Sequence, residues 1–257
     1  MSAIEVELNP FSIGTCFQKS FKVCGQAFLP ILLVTASASV PDLILQLITP
    51  AIRVFGVLYF GIFSFTVGIF GFILQIAIQG IIVFGTFRVL QGKSFDVGGA
   101  FRQAFRKVGT LAGLSIVLGL LIGLASLALL IPGVIVGTVY AVAVPACVIE
   151  STGVSESLRR SRTLTKGNRW KVFGIYALVM IVMFVIFSAI MGSLFFLIRP
   201  TAVDLVGIRF QMVSPILNFV IRLISVGFLS VVISVIYSEL RYAKEGVGID
   251  EIVDVFA

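Results

Sequence analysis

The sequence predicts an all-α membrane protein with six transmembrane helices arranged as three helical hairpins, each preceded by a short basic amphipathic cytoplasmic helix. Three observations lead to this fold class. First, 59% of the 257 residues are hydrophobic, only 12% are charged, and the mean hydropathy is +1.15. Soluble domains carry about 25% charged residues, which keep their surfaces wet. Second, long apolar runs alternate with basic clusters, and third, two of these clusters resemble each other.

The composition excludes a soluble enzyme, a disordered chain and a secreted disulfide scaffold. The chain has 19 basic and 12 acidic residues, a net charge of +7, and its basic residues flank apolar runs. A membrane surface is therefore the expected partner, and nucleic acid is not. The three cysteines lack metal-site spacing and the sequence has no histidine. We accordingly predict no metal, no cofactor and no enzymatic activity.

Six apolar runs are long enough to be transmembrane helices, because a bilayer core of about 30 Å requires about 20 apolar residues. The second run is long enough either to split or to begin outside the core, and the fourth is short and contains Pro145. A sharp turn is expected at Pro132 and Gly133, before the fourth span. The predicted spans are residues 26–48, 54–89, 111–131, 134–149, 172–198 and 215–237.

The distribution of basic residues predicts that both termini are cytoplasmic. Lys and Arg accumulate in cytoplasmic loops. Fifteen of the 19 lie in four segments: before the first span, between spans two and three, between spans four and five, and after the sixth. An even number of crossings separates successive segments, which gives six. We therefore predict one polytopic membrane domain, residues 1–257, with an acidic cytoplasmic tail at residues 245–257.

An internal repeat divides the chain into three predicted units. Residues 11–25 align with residues 95–109 at an offset of 84, and five of the fifteen aligned positions are identical. A fainter third copy begins at Val154, where Leu158 stands in the position of Phe101. Each copy precedes two apolar runs, which is the pattern of a repeated structural unit. The units are about 10–91, 94–150 and 154–240.

The first two copies have the helical phase of an amphipathic helix. Phe101 and Phe105 share one face opposite Arg102 and Arg106, and the first copy repeats this pattern. Such a helix lies in the membrane interface, with its apolar side among acyl chains and its cations among headgroups. Packing of the same face on the transmembrane bundle is the alternative. Nine cations are candidate sites for anionic lipid headgroups: Arg102, Arg106, Lys107, Arg159, Arg160, Arg162, Lys166, Arg169 and Lys171.

A second set of candidate residues is polar and predicted at membrane depth: Asp42, Gln75, Gln79, Asn218 and Arg222. Charge inside a bilayer is costly and indicates a functional role. Arg222 could hold a lipid phosphate, or it could pair with Asp42 between helices. The favoured interpretation is that Arg222 extends to the outer interface while Asp42 lies in headgroup water.

Two further acidic residues, Glu150 and Glu239, each stand at the end of a predicted span beside dense basic sequence. One interpretation is a pair of carboxylates for acid–base chemistry. The favoured interpretation is that they form salt bridges with Arg159, Arg160 or Arg241 and thereby fix the interface helices.

A family resemblance rests on residues 130–178 and on the last basic segment. The pattern is a Pro-Gly turn, an apolar span that closes on Glu, a Ser-rich basic helix and a basic entry with Trp to the next span. The matching residues are Pro132, Gly133, Glu150, Glu156, Ser157, Leu158, Arg160, Ser161, Gly167, Trp170, Glu239, Leu240, Arg241, Lys244, Glu245 and Gly246. In these the chain resembles the integral-membrane domain of bacterial glycerophosphoryl diester phosphodiesterase-type membrane proteins and related six-helix inner-membrane proteins of unknown function.

The resemblance implies that the protein is located in a bacterial inner membrane and has a six-helix architecture. The phosphodiesterase activity of fused relatives belongs to a separate soluble barrel domain, so the resemblance does not imply that activity for this chain.

The function predicted from these features is that of a non-catalytic inner-membrane protein, a lipid-associated scaffold or an accessory subunit of a membrane complex. The alternative is a transporter or permease subunit for lipids or other small molecules, which the repeat and the Gly- and Pro-interrupted spans favour. An intramembrane enzyme is the least favoured class, because histidine is absent and buried acids are few. The predicted partners are membrane lipids with anionic headgroups at the cytoplasmic face, with a homo-oligomer or a larger membrane complex left open.

Overall fold

The fold is helical throughout the part of the chain that the structure describes. The computed structural model describes residues 11–52, 57–198 and 208–246, and these ranges contain α-helices and no strand. Four segments lie outside the described residues: 1–10, 53–56 with Arg53, 199–207 with Arg199, and the predicted acidic tail beyond 246. The helices are α1 (Ile13–Gln26), α2 (Phe28–Ile52), α3 (Val57–Leu90), α4 (Val97–Arg106), α5 (Val108–Ala128), α6 (Leu130–Val139), α7 (Ala143–Glu150), α8 (Val154–Thr165), α9 (Arg169–Ile198) and α10 (Ile208–Glu245).

Six stretches of helix are long and apolar enough to cross a membrane. They are Phe28–Ile48, Gly71–Leu90, Val108–Leu127, Ile131–Glu150, Arg169–Ser193 and Val213–Glu245. Each overlaps one predicted span, so the all-helical, multi-pass membrane character predicted from the sequence is confirmed. In the third and fifth stretches only 11% of the apolar window is buried inside the protein. So much apolar surface is stable only when lipid covers it.

The second apolar run forms one continuous helix, α3, of 34 residues. At 1.5 Å per residue this helix is about 51 Å long, which exceeds the thickness of a bilayer core. The run therefore does not split, and its stretch Gly71–Leu90 is by itself long and apolar enough to cross a membrane.

The fourth span is interrupted between α6 and α7. Pro145 has no backbone N–H, so the carbonyl of Ala141 loses its usual helical donor. The hydroxyl of Tyr176 on α9 donates to that carbonyl at 3.3 Å. The carbonyl of Val139 is also free of the helix ladder, since the N–H of Ala143 donates to Tyr140 instead. The break is therefore closed by side chains from other helices.

The two side chains that reach the carbonyl of Val139 both come from α8. Ser161 and Thr165 donate to it at 3.0 and 3.1 Å. Short polar side chains on α8 thus satisfy a backbone acceptor that would otherwise be unpaired in an apolar environment. This contact fixes α8 against the interrupted span.

The turn expected at Pro132 and Gly133 lies earlier in the chain. Leu129 is the extended residue that separates α5 from α6, and Pro132 falls in the first turn of α6. A proline is tolerated there because the first N–H groups of a helix have no intrahelical acceptor. Gly133 packs tightly against Ser126, and a β-carbon at that position would collide with it.

The core is densest where the long helices meet the short ones. Its largest fully buried side chains come from α3, α5, α7, α8, α9 and α10, and Tyr237 is the largest of them. The ring of Tyr237 contacts that of Phe87 edge to face, with 5.5 Å between centroids. The far ends of α5 and α9 contribute few buried residues. One end of the bundle is therefore held by interhelical packing and carries the short helices.

Candidate functional site

The three short helices α1, α4 and α8 pack on the bundle through small side chains. In each helix two such residues lie four positions apart, on one face, with at most 1% of their surface exposed. They occupy equivalent positions in the three aligned sequence segments. The residues are Cys16 and Ser20, Ala100 and Ala104, and Ser157 and Ser161.

The phenylalanine stripe of α4 faces away from the bundle, and that of α1 does so only in part. Phe21, Phe101 and Phe105 are 62%, 56% and 67% exposed, respectively. The rings of Phe101 and Phe105 stack on each other, with their centroids 5.9 Å apart. The α4 face therefore does not show the packing on the transmembrane helices that was the alternative drawn from the sequence. The α1 face does in part, because the ring of Phe21 contacts that of Phe228 on α10, with 5.4 Å between centroids, and Phe17 packs against the core. The third helix, α8, has no such stripe, and its outward face is polar.

Asp96 caps α4 and ties it to α3. Its carboxylate accepts from the N–H of Gly99 at 3.0 Å and from Arg88 at 2.9 Å. The Gly99 N–H, and then the charge of Arg88, lower the pKa of Asp96. The sequence analysis missed this residue, although an Asp directly before an amphipathic segment is a common N-cap signal.

Every acidic side chain in the described ranges forms an ion pair. The pairs are Asp42–Arg222, Asp96–Arg88, Glu150–Arg160, Glu156–Arg159, Glu239–Lys19, Glu245–Arg160, Glu150–Arg241 and Glu245–Arg241. Two of the nine predicted headgroup cations, Arg159 and Arg160, are thereby paired. The other seven have no acidic partner among the described residues: Arg102, Arg106, Lys107, Arg162, Lys166, Arg169 and Lys171.

These seven cations differ in how far they reach the surface. The Nζ of Lys107 is buried without a hydrogen-bond partner in the described part of the chain, and burial lowers its pKa. Lys171 donates to the carbonyl of Phe11 at 2.9 Å, which holds α9 to the start of α1. The remaining five lie at the surface or partly at the surface: Arg102, Arg106, Arg162, Lys166 and Arg169.

Arg160 belongs to a half-buried network that joins α7, α8 and α10. Its Nε donates to Glu150 at 2.7 Å, and its Nη1 lies 2.5 Å from Glu245. Burial alone would lower the pKa of Arg160, but the hydrogen bonds that Arg160 donates to Glu245 and Glu150 outweigh burial and raise that pKa. The predicted Glu150–Arg160 salt bridge is confirmed. The role of Arg160 is thus to hold helices together.

Two more contacts complete this network. The hydroxyl of Tyr237 donates to Glu150 at 2.6 Å, and Arg241 lies 3.9 Å from the same carboxylate. Glu239 does not pair with any of the arginines proposed for it. Its partner is Lys19 on α1, at 2.5 Å. The two carboxylates therefore serve separate ion pairs and do not form an acid–base pair.

Among the predicted intramembrane polar residues, three come together. Arg222 pairs with Asp42 and donates to the Oε1 of Gln75 at 3.3 Å, while Gln46 donates to Asp42 at 3.1 Å. This geometry agrees with the interhelical pair and not with separate solvation of the two charges. The carboxylate neutralises the guanidinium, so Arg222 is not a free cation for an anionic substrate.

The other two members of that set lie elsewhere. Gln79 lines a cavity of about 530 Å³ between α3, α5, α6 and α9. Asn218 is exposed on α10 and has no hydrogen-bond partner in the described ranges. The five residues predicted at membrane depth therefore do not form one continuous site.

The described residues offer little that binds a metal or acts as a nucleophile. Within these ranges no three of His, Cys, Asp and Glu lie together as a metal site. Burial raises the pKa of Cys16 to about 12 and that of Cys24 to about 11. Both thiols are therefore protonated at neutral pH and are poor nucleophiles.

Comparison with models of known protein families, with curated proteins and with solved structures finds no match to this chain.

Proposed function

We propose that the protein is a non-catalytic, lipid-associated protein of the bacterial inner membrane that binds anionic headgroups at its cytoplasmic face. The observation that carries this proposal is an imbalance of charge. All six acids in the described ranges are ion-paired, whereas Arg102, Arg106, Arg162 and Lys166 are exposed without acidic partners there. Each such cation near an anionic surface contributes about 1 kcal/mol.

The outward phenylalanines complement these cations. On α4, Phe101 and Phe105 enter the acyl region while Arg102 and Arg106 stay among the headgroups. α1 acts in the same way through Phe21. The apolar contact places the helix at the depth at which its cations meet phosphate, so the two features together indicate a lipid partner.

The architecture that we propose has three units, each a short helix followed by a helical hairpin. The buried small residues at equivalent positions of α1, α4 and α8 support this division. The resemblance to the membrane domain of glycerophosphoryl diester phosphodiesterase-type proteins remains part of the proposal. In this arrangement the protein acts as a scaffold or as an accessory subunit of a membrane complex.

The transporter is the second candidate, and one observation favours it. The interrupted span α6–α7 adjoins the 530 Å³ cavity, and discontinuous helices line the substrate sites of many transporters. That cavity is mainly apolar, however, and the paired Arg222 is not among the residues that line it. Substrate-dependent uptake into proteoliposomes would favour this candidate over the scaffold.

The proposal predicts that the unpaired cations select anionic lipid. Replacing Arg162 and Lys166 by Gln removes about 2 kcal/mol of attraction, and Arg102→Gln with Arg106→Gln does the same on α4. We expect a several-fold loss of co-purified anionic lipid in both double variants, measured by mass spectrometry of extracted lipid. The matched control is Glu156→Gln with Arg159→Gln, which removes an exposed pair without changing the net charge. Losses equal to those of the control would contradict the proposal.

The topology is a separate prediction. Fifteen of the 19 basic residues lie in the four segments assigned to the cytoplasm. Reporter domains fused at residue 1 and at residue 257 are expected to be active in the cytoplasm and silent outside. Activity of either fusion only on the outer side would overturn the orientation.

A further inference from the structure

A cavity of about 470 Å³ lies between α6 and the first turn of α9. Val134, Ile135 and Thr138 line it from α6, and Trp170 and Phe173 line it from α9. It shares Val134, Thr138 and Phe173 with the 530 Å³ cavity, which continues along α9 as far as Met180. The two cavities form one elongated groove, which we call the α6–α9 groove.

The walls of the groove are mainly apolar. From Phe173 to Met180 the groove follows α9 for about 10 Å, at 1.5 Å per residue. No acidic residue is among those that line either cavity. A charged or strongly polar ligand could not fill such a groove without losing its hydration. The groove therefore suits an acyl chain.

The mouth of the groove is positively charged. Arg169 lines the first cavity, and its Nε is buried without a hydrogen-bond partner among the described residues. The positive charges of Lys166 and Arg169 repel the ammonium group of Lys244 on α10, so the three cations are neighbours. None of the three has an acidic partner in the described ranges, and Lys244 is held by the carbonyl of Thr163. Like charges gathered in this way favour an anion between them.

Trp170 stands at the rim between these two regions. Its side chain is 85% exposed, and its ring contacts Phe173 edge to face at 6.0 Å. An indole with one apolar and one polar side is characteristic of the level where acyl chains meet headgroups. Trp170 thus marks the depth at which a lipid phosphate would lie.

We propose that the α6–α9 groove binds one anionic phospholipid. Its phosphate lies against Arg169, Lys166 and Lys244, and an acyl chain runs along α9 past Phe173. This inference rests on the lipid association proposed above and adds a defined site to it. The combination of a cation cluster with a continuous apolar groove selects a lipid over a free phosphate, which would need no groove.

The chain contains its own reporter for this site, because Trp170 is its only tryptophan. We would reconstitute the whole protein in phosphatidylcholine bilayers and measure quenching of Trp170 fluorescence by phosphatidylglycerol brominated on its acyl chains. Brominated phosphatidylcholine at the same mole fraction gives the reference. The expected result is a relative association constant at least tenfold in favour of the anionic lipid. Equal quenching by the two lipids would overturn the proposal.

Two variants separate the headgroup from the groove. Arg169→Gln is expected to lower the preference for anionic lipid about fivefold, the factor that corresponds to about 1 kcal/mol per cation. Val134→Phe fills the groove and is expected to weaken quenching by both lipids while the cations remain. The matched control is Ile181→Phe on the exposed surface of α9, which should behave as the wild type. A Val134→Phe variant that equals this control would contradict binding in the groove.

Two further measurements distinguish the alternatives. Millimolar inorganic phosphate should leave the quenching unchanged, and its reversal by phosphate would show a site for the free anion instead. In the same samples, the amount of anionic lipid retained by the whole protein reports the broader function. Retention that depends on Arg102 and Arg106 without selective quenching of Trp170 would overturn the groove site alone. If neither anionic lipid retention nor selective quenching of Trp170 is observed, the proposed function is overturned as well.

Discussion

Replacement of Arg222 by Leu is expected to lower the free energy of unfolding by about 3 kcal/mol, because it leaves Asp42 unpaired in a membrane-spanning segment. The contact with Gln75 is lost as well. The measurement is reversible unfolding in bicelles, followed by circular dichroism. Arg222→Lys should have an intermediate effect, since an ammonium keeps the charge but not the planar fork that reaches both partners.

A double-mutant cycle shows whether the pair itself is responsible. Asp42→Leu combined with Arg222→Leu removes both charges, and we expect this double variant to be more stable than Arg222→Leu alone. Asn218→Leu, one turn earlier on α10, is the control, and its effect should be within about 0.5 kcal/mol. If Arg222→Leu is as well tolerated as Asn218→Leu, the two charges do not stabilise the bundle together.

The second large effect is expected at Glu150. Glu150→Ala removes the acceptor of Arg160 and of Tyr237 and leaves Arg160 and Arg241 facing each other with only Glu245 to neutralise them. The loss of one partner from a half-buried ionic network costs about 3 kcal/mol. We expect this decrease in the same unfolding measurement, together with faster hydrogen exchange in α8.

The exposed pair on α8 provides the comparison for Glu150. Glu156 and Arg159 are exposed neighbours on one helix, and solvent screens such pairs so that they contribute little to stability. Glu156→Ala should therefore be nearly neutral. A Glu150→Ala variant that unfolds like Glu156→Ala would mean that the network does not hold α7, α8 and α10 together.

The spans could be predicted from the sequence because they depend on local properties. Length and hydropathy determine which segments can cross a bilayer, and the six apolar stretches appear in the structure near their predicted positions. The outward stripe of α4 also follows from local phase, since Phe101 and Phe105 are four residues apart on one helical face.

The partners of the charged residues could not be predicted in the same way. Glu239 pairs with Lys19, which is 220 residues away, and Asp42 pairs with Arg222 at a separation of 180. Each acid had several cations within reach in principle, and only the packing of the long helices selects one. The sequence analysis for this reason favoured solvation of Arg222.

Pro145 is the sequence feature that indicates the break in the fourth span. Pro145 lies where it frees the carbonyl of Ala141, and the hydroxyls of Tyr176, Ser161 and Thr165 complete the interrupted backbone. Pro132 attracted the predicted turn, but it occupies the first turn of α6, and the extended residue before that helix is Leu129. Pro145 is likewise the third residue of its helix, α7, so each proline lies just after an interruption of the helix and not within it.

The central claim is that unpaired cations at one face of the membrane domain select anionic lipid, and electron spin resonance tests it most directly. The protein is reconstituted in phosphatidylcholine with spin-labelled phosphatidylglycerol or spin-labelled phosphatidylcholine, and the fraction of motionally restricted label is compared. We predict a clear preference for phosphatidylglycerol that falls as salt rises and is lost when Arg102, Arg106, Arg162 and Lys166 are all replaced by Gln. Equal restriction of the two lipids by the wild-type protein at low salt would contradict the account.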